Sequence, residues 1–494
     1  MSAAFGTMIS NSKTTETTVK KKRSSANAKT PNIPFFSNLT YVFLCAVLIL
    51  STLAYGTVHP IAIGVFQLGA AIVILLWAVD AFVGGALRFN KSLLQISLGA
   101  AILLGFIQII PFGSLPEIAG ISATARTISL SPYDTQFAVV QFVALLIYFA
   151  ATLTFVNKPQ RLKTLVFVIT IFGFVFAFFA IIQSLIDPNK IYGVYEIANV
   201  KPFGSFVNKH NFAAYIEMCI ALPLGLLFSG AISKDKRLLI LTGIGLMGIA
   251  LVMSGSRGGL VALLATIVFL IFITTKTRNV PQLVGKIALG VALVAAMVAG
   301  TFFVGGDSTL TRVAESIESK DPTSSRLQIW QVTLETIKQS PILGNGFGAF
   351  GTAYTKFDSL NGRERVEQAH NDYLQILADA GIIGAIIGAF FIFVLFRDGF
   401  KQINSRDKFR RGVAVGALAG CFAVLVHSFF DFVLHTTAIS LLFLTLAALA
   451  TLGKQVEDEN NLEEKPRRKA SVTSIESKRR RKQDEQSGIN NQVG

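Results

Sequence analysis

Residues 165–182 read Leu-Val-Phe-Val-Ile-Thr-Ile-Phe-Gly-Phe-Val-Phe-Ala-Phe-Phe-Ala-Ile-Ile, without one charged side chain. At about 1.5 Å per residue, a helix made of this run and its apolar flanks spans the roughly 30 Å hydrocarbon layer of a bilayer. Runs of the same kind recur at 39–56, 60–83, 93–113, 136–156, 162–186, 211–230, 237–254, 258–275, 284–304, 372–396, 411–428 and 436–453. They predict an all-α polytopic membrane protein with about twelve transmembrane helices. Composition agrees, because 52% of the residues are hydrophobic and only 15% charged, with 41 Phe against 2 Trp. Phe adds apolar area without a polar atom to satisfy, which suits helices packed against lipid and one another. Cys45, Cys219 and Cys421 all lie inside apolar runs, so neither a disulfide framework nor a thiolate metal site is suggested.

The formal net charge of +16 resembles that of a nucleic-acid binder, but its distribution speaks for a membrane. Most Lys and Arg fall on the two tails and the even-numbered connections, such as Lys20-Lys21-Lys22-Arg23, Lys158/Arg161/Lys163 and Arg406/Lys408/Arg410/Arg411. Positive charge collects on the cytoplasmic side, so both termini are expected in the cytoplasm and nucleic acid is not an expected partner. No small-residue cleavage site follows the first apolar run, so that span is expected to stay in the membrane. The predicted organisation is a basic, disordered cytoplasmic tail over 1–38, spans one to nine over 39–304, an outer loop over 305–370, spans ten to twelve over 371–453 and a disordered cytoplasmic tail over 454–494.

The outer loop between spans nine and ten is the only large segment predicted outside the membrane. Ser325-Arg326-Leu327-Gln328 resembles a capping box, and Leu327, Trp330, Leu334 and Ile337 recur at helical spacing up to Pro341. An amphipathic helix on the membrane surface or capping the bundle follows. Gly344-Asn345-Gly346-Phe347-Gly348 reads as a turn; with no strand before it and no Lys-Ser/Thr ending, it is not a nucleotide loop.

With this topology a set of polar residues shares one level, at the outer ends of the helices: Lys209, His210 and Asn211; Ser256 and Arg257; Arg326; His370, Asn371 and Asp372; Asp431 and His435. Ionisable groups close to a bilayer are functional candidates by default. Arg257 sits in Ser254-Gly255-Ser256-Arg257-Gly258-Gly259, where a guanidinium beside glycines at a helix start suits an anion. Snorkelling to the interface is the plainer reading of the same residue. Arg326, in the first turn of the loop helix, opposes the positive end of that helix's dipole and asks for an anionic partner, either a ligand or an ordinary Glu such as Glu315 or Glu318. His370 closes the loop where an imidazole can take a proton from a hydroxyl, although a lone His at a helix start is more often a cap or interface residue.

The segment His370-Asn371, nine residues, Gly381, two residues, Gly384 resembles the signature of the O-antigen ligase and polymerase superfamily, which includes bacterial protein O-oligosaccharyltransferases. The Ser-Arg-Gly turn at Arg257 and the segment Arg326…Trp330…Pro341-Ile342-Leu343-Gly344-Asn345-Gly346 resemble the family's in the same order, and family-like motifs run from about 203 to 384. The resemblance implies a metal-independent glycosyltransferase, without cofactor, in the bacterial cytoplasmic membrane. It would transfer a glycan from a polyprenyl diphosphate carrier to a hydroxyl on an acceptor glycan, glycolipid or protein, on the outer face. Carried over, Arg257 and Arg326 would bind the diphosphate and stabilise its departure, and His370 would be the general base or orient the acceptor. Two guanidiniums suit a leaving diphosphate on chemical grounds as well. Phe203–Phe212 resembles a family segment too: Lys209 would assist phosphate binding and His210 line the acceptor path, while a helix-start cap at Asn208 or Asn211 is the plainer reading of the segment. Asn371 and Asp372 join Lys209 and His210 as candidates for substrate contact.

A transporter of a polyanionic or lipid-linked substrate is the alternative reading. Scarce mid-span charge and the absence of a repeat speak against it. A metal-using glycosyltransferase with acids in its first outer loop is disfavoured by Gly56-Thr57-Val58-His59-Pro60, which has none.

Overall fold

The computed structural model describes residues 35–114, 116, 125–196, 201–275, 280–318, 324–358 and 365–453, with the side chains of 305–318, 324 and 325 left aside. The expected tail over 454–494 and nearly all of that over 1–38 lie outside the described residues. Those described form fourteen α-helices: α1 (Phe35–Leu53), α2 (Pro60–Gly84), α3 (Leu94–Ile109), α4 (Pro132–Phe155), α5 (Pro159–Ile186), α6 (Lys209–Phe228), α7 (Arg237–Met253), α8 (Arg257–Thr274), α9 (Val280–Glu318), α10 (Ser324–Gln339), α11 (Phe350–Thr355), α12 (Asp372–Gln402), α13 (Lys408–His427) and α14 (Thr437–Thr451). One antiparallel pair of two-residue strands, Lys190–Ile191 with Tyr195–Glu196, is the only sheet among them. Ten helices are long and apolar enough to cross a membrane, and α3 and α14 are apolar but shorter. The chain is an all-α polytopic membrane protein.

Local chemistry sets the helix starts. Proline, with no N–H to lose, occupies the first turn of α2, α4 and α5. The side chains of Asn208, Ser256, Asn371 and Asp407 accept backbone N–H bonds at the starts of α6, α8, α12 and α13. Asn208, not Asn211, is thus the cap of α6.

The centre of the bundle is α6 against α13. A Cβ added to Gly225 would lie 2.2 Å from Cα of Gly416, so the two backbones touch. Small residues permit this approach, and dispersion between the closely packed backbones replaces the hydrophobic drive that lipid cannot supply. The other apolar helices wrap this pair, and a mostly apolar cavity of about 450 Å³ opens between α3, α4, α12, α13 and α14. Asp372, Ser428 and Ser440 are among its few polar lining groups.

Two features of the segment after span nine differ from expectation. The ninth apolar span ends at Val304 as expected, but helix α9 continues beyond it to Glu318, into the segment expected as loop, since no proline or glycine pair after Gly306 stops it. Helix α10 begins at Ser324, so Ser325 lies inside it instead of capping it. Its inward face also differs. Val332, Thr333 and Thr336 are buried, Trp330 donates from Nε1 to the Ala369 carbonyl at 2.9 Å, and the expected Leu327 and Leu334 are exposed. The inward residues meet Phe350, Tyr354, Ala369 and Ala378 in a small core of their own, so α10 caps the bundle.

The glycine turn at 344–348 is seated in a break of α12. Gly381, at φ 61° and ψ −161°, interrupts the helix. The freed backbone groups are met by the turn: Asn345 and Gly346 donate to the carbonyls of Ala378 and Asp379, and Ile382 and Ile383 donate to those of Pro341 and Ile342. Gln108 of α3 donates to the Leu343 and Asp379 carbonyls, fastening a third segment to the same place. A Cβ on Gly381 would stand 2.4 Å from the Ile342 carbonyl, and one on Gly344 2.3 Å from the backbone of Asp379. Both glycines are therefore dictated by backbone meeting backbone.

Candidate functional site

Helix ends bring the polar residues of the sequence together. The start of α12 carries His370, held at φ 50°, a left-handed conformation rare outside glycine. Asn371 explains the placement: its Oδ1 accepts from the N–H groups of Tyr373 and Leu374, and its Nδ2 donates to the Phe429 carbonyl. The turn after α13 is thereby tied to the start of α12. Asp372 ties it again, since Oδ2 accepts from Ser428 Oγ at 2.7 Å and from the Leu434 N–H, while Oδ1 lies 3.1 Å from His435 Nδ1. Asn371 and Asp372, expected as substrate contacts, have these polar atoms engaged in holding the frame.

The frame presents Asp431. Its side chain is 2% exposed, and Oδ1 lies 3.1 Å from His370 Nδ1. Oδ2 lies 3.7 Å from Arg326 Nη2 and 3.9 Å from His210 Nδ1, and receives no hydrogen bond from the described residues. Burial alone would push the Asp431 carboxyl up, but the His370 hydrogen bond and the charges of His210, His370 and Arg326 outweigh it and hold the group at about 2. Arg326 is fixed a second time by a 2.7 Å bond from Nη1 to the Phe430 carbonyl. Asp431 is the anionic partner that the position of Arg326 asked for. Phe432 packs edge-on against the His370 ring at 4.9 Å, leaving that imidazole about one third exposed.

The turn into α8 joins from the other side. Ser256 caps α8 through the Gly259 N–H, and its Oγ lies 2.9 Å from His210 Nδ1. Arg257, the next residue, is exposed at the first position of the helix. A Cβ at Gly255 would stand 3.5 Å from Lys209 Nζ, so that ammonium lies over the same turn. Contacts therefore run unbroken from the Gly255–Arg257 turn through His210 and Asp431 to His370 and Arg326. The arrangement offers partly exposed cations, a buried carboxylate, and an imidazole whose Nδ1 side is occupied. With Nδ1–H donated to Asp431, His370 has Nε2 free to accept a proton.

Asp431 and His435 stood at the right level in the sequence reading but had no role there. The signal for Asp431 was a single acid inside Phe429-Phe430-Asp431-Phe432, between two apolar runs. Among the described residues no group of three or more His, Cys, Asp or Glu side chains is arranged to hold a metal ion.

No curated protein matches the chain. Residues 242–389 match the model of the family described as O-antigen ligase. That stretch contains Arg257, Arg326, His370, Gly381 and Gly384, so the resemblance drawn from these motifs is borne out there; Phe203–Phe212 lies outside it. The chain is a multi-pass membrane protein in which residues 242–389 are similar to the O-antigen ligase family.

Proposed function

We propose that the protein transfers a glycan from a polyprenyl diphosphate carrier to an acceptor hydroxyl, without a metal ion, at the outer face of the bacterial cytoplasmic membrane. The observation that carries this reading is the meeting of His370 and Arg326 on the buried carboxylate of Asp431, within the segment that matches the ligase family. His370 Nε2 accepts the proton of the acceptor hydroxyl, whose oxygen bonds to the anomeric carbon. The bond from that carbon to the diphosphate breaks, and its electron pair leaves on the phosphate oxygen. Arg257 and Arg326 neutralise the charge that develops there, with Lys209 as a further cation. The apolar cavity beside Asp372 takes part of a lipid tail. Ligase and chain polymerase chemistry suit the site equally.

The outer-face assignment rests on the concentration of Lys and Arg at the opposite loops and tails. The test is purified protein in liposomes, supplied with a polyprenyl diphosphate oligosaccharide and an acceptor. His370→Ala and Arg257→Ala should each lower transfer by about 100-fold or more while inserting normally, in line with the loss of a general base or of charge stabilisation. Parental activity in either variant removes that residue from the mechanism.

A further inference from the structure

Beneath the site the bundle holds a second acid and imidazole that the reaction above does not use. Glu217 of α6 and His427, the last residue of α13, are both fully buried. His427 Nδ1 lies 3.2 and 3.3 Å from the two carboxylate oxygens. Burying ionisable groups inside a membrane bundle is costly, and apolar residues of similar volume often serve stability as well as a buried pair does. Such a pair asks for a role other than holding the fold.

Three site-bearing segments converge on it. Glu217 lies two helical turns after His210, on the same face of α6. The His427 ring borders the start of α8, since a Cβ on Gly258 would stand 3.0 Å from its Cδ2 and Nε2. The His427 carbonyl accepts from the N–H groups of Phe430 at 2.8 Å and Asp431 at 3.2 Å, so the same residue seats the turn that presents Asp431. Phe430 in turn gives its carbonyl to Arg326. Among the described residues Nε2 is buried without a hydrogen-bond partner, and Glu217 is the side chain among them that orients the ring by hydrogen bonding.

We infer that Glu217 and His427 form a positioning pair that keeps the start of α8, and with it Arg257, in register with His210 and Asp431. Neither residue touches substrate. The effect on turnover rests on the proposed transfer reaction; the effect on geometry does not.

The test uses the full chain in nanodiscs, with spin labels at the exposed positions Val261 on α8 and Phe429 in the turn after α13. His427→Leu and the nearly isosteric Glu217→Met should broaden the distance distribution between the labels, while His370→Ala leaves it as in the parent. On the folded fraction, both should lower kcat by at least about tenfold with little change in the KM for donor, because small misplacements of reacting groups are costly. The double variant should be no worse than either single one, and Glu217→Gln, which keeps an acceptor for Nδ1–H, should restore most of the rate. Should His427→Leu not fold, Glu217→Met against Glu217→Gln carries the same comparison. An unchanged distance distribution in folded Glu217→Met overturns the pair's role whatever the rates. A broadened distribution together with full activity in His370→Ala leaves the pair in place and overturns the transfer mechanism instead.

Discussion

Asp431 does two things at once: it holds the His370 imidazole by Nδ1 and it compensates Arg326. Asp431→Asn should therefore lower transfer by roughly 100-fold, within the range that general-base catalysis contributes, with little effect on insertion; steady-state rates on reconstituted protein measure it. Because the folded-state carboxyl is held at about 2, below its ordinary value, Asp431 is charged at every physiological pH. Its contribution to stability is then complete above about pH 4 and is lost as the pH falls from there towards 2. Thermal unfolding in detergent between pH 7 and 3 should show that loss in the parent and a shallower acid slope in Asp431→Asn. Arg326→Lys should also impair transfer, since an ammonium has no planar fork with which to keep the Phe430 carbonyl and the Asp431 carboxylate together while meeting a diphosphate. Donor binding equal to the parent's would reduce Arg326 to a point charge. The arginines and His370 were legible in the sequence because ionisable groups in apolar surroundings stand out singly. Their partner was not, because the separation of 61 positions from His370 to Asp431 follows no spacing rule, and only the folding of α12 against α13 brings the two together.

Among the elements, the spans were readable from hydropathy, but the full lengths of the helices were not. Hydropathy reports the solvent a segment prefers, not where its hydrogen bonding stops, so α9 runs past its apolar stretch to Glu318. The inward face of α10 was misread for a related reason: Thr333 and Thr336 pass as polar, yet each returns its hydroxyl to a backbone carbonyl of its own helix and is then buried at little cost. The Gly381 break was visible as a glycine in the motif, but the turn that fills it, some 35 residues earlier, was not. Gly381→Ala should destabilise the protein by about 2 kcal/mol or more, from the strained φ and the clash with the Ile342 carbonyl. Asn345→Ala should cost about 1–3 kcal/mol, because its Nδ2 serves the buried carbonyls of Thr336 and Ala378. Thermal unfolding in detergent measures both, and an unchanged midpoint for Gly381→Ala would mean that the turn does not need the break.

At the scale of the whole molecule, the proposal requires the end of the bundle bearing His370 to face away from the cytoplasm. A single cysteine at position 257 or 370 in a chain with Cys45, Cys219 and Cys421 removed should react with an impermeant thiol reagent applied from outside. Reaction only after the membrane is opened would reverse the topology. Transfer should also proceed unchanged in EDTA, whereas loss restored by a divalent ion would point to metal-assisted chemistry. The two short apolar helices have a further consequence. At 16 and 15 residues, α3 and α14 extend only about 22–24 Å, less than the usual hydrocarbon thickness, and both line the same cavity. Helix α14 is enclosed by the bundle, but α3 turns Ile96, Leu103 and Phe106 outward, and lipid next to it must thin to match, which draws the headgroups inward along that one flank. Acyl-chain length of the host lipid then becomes a variable of the reaction: longer-chain bilayers raise the cost of that dimple and should slow entry of a lipid-borne substrate from the side.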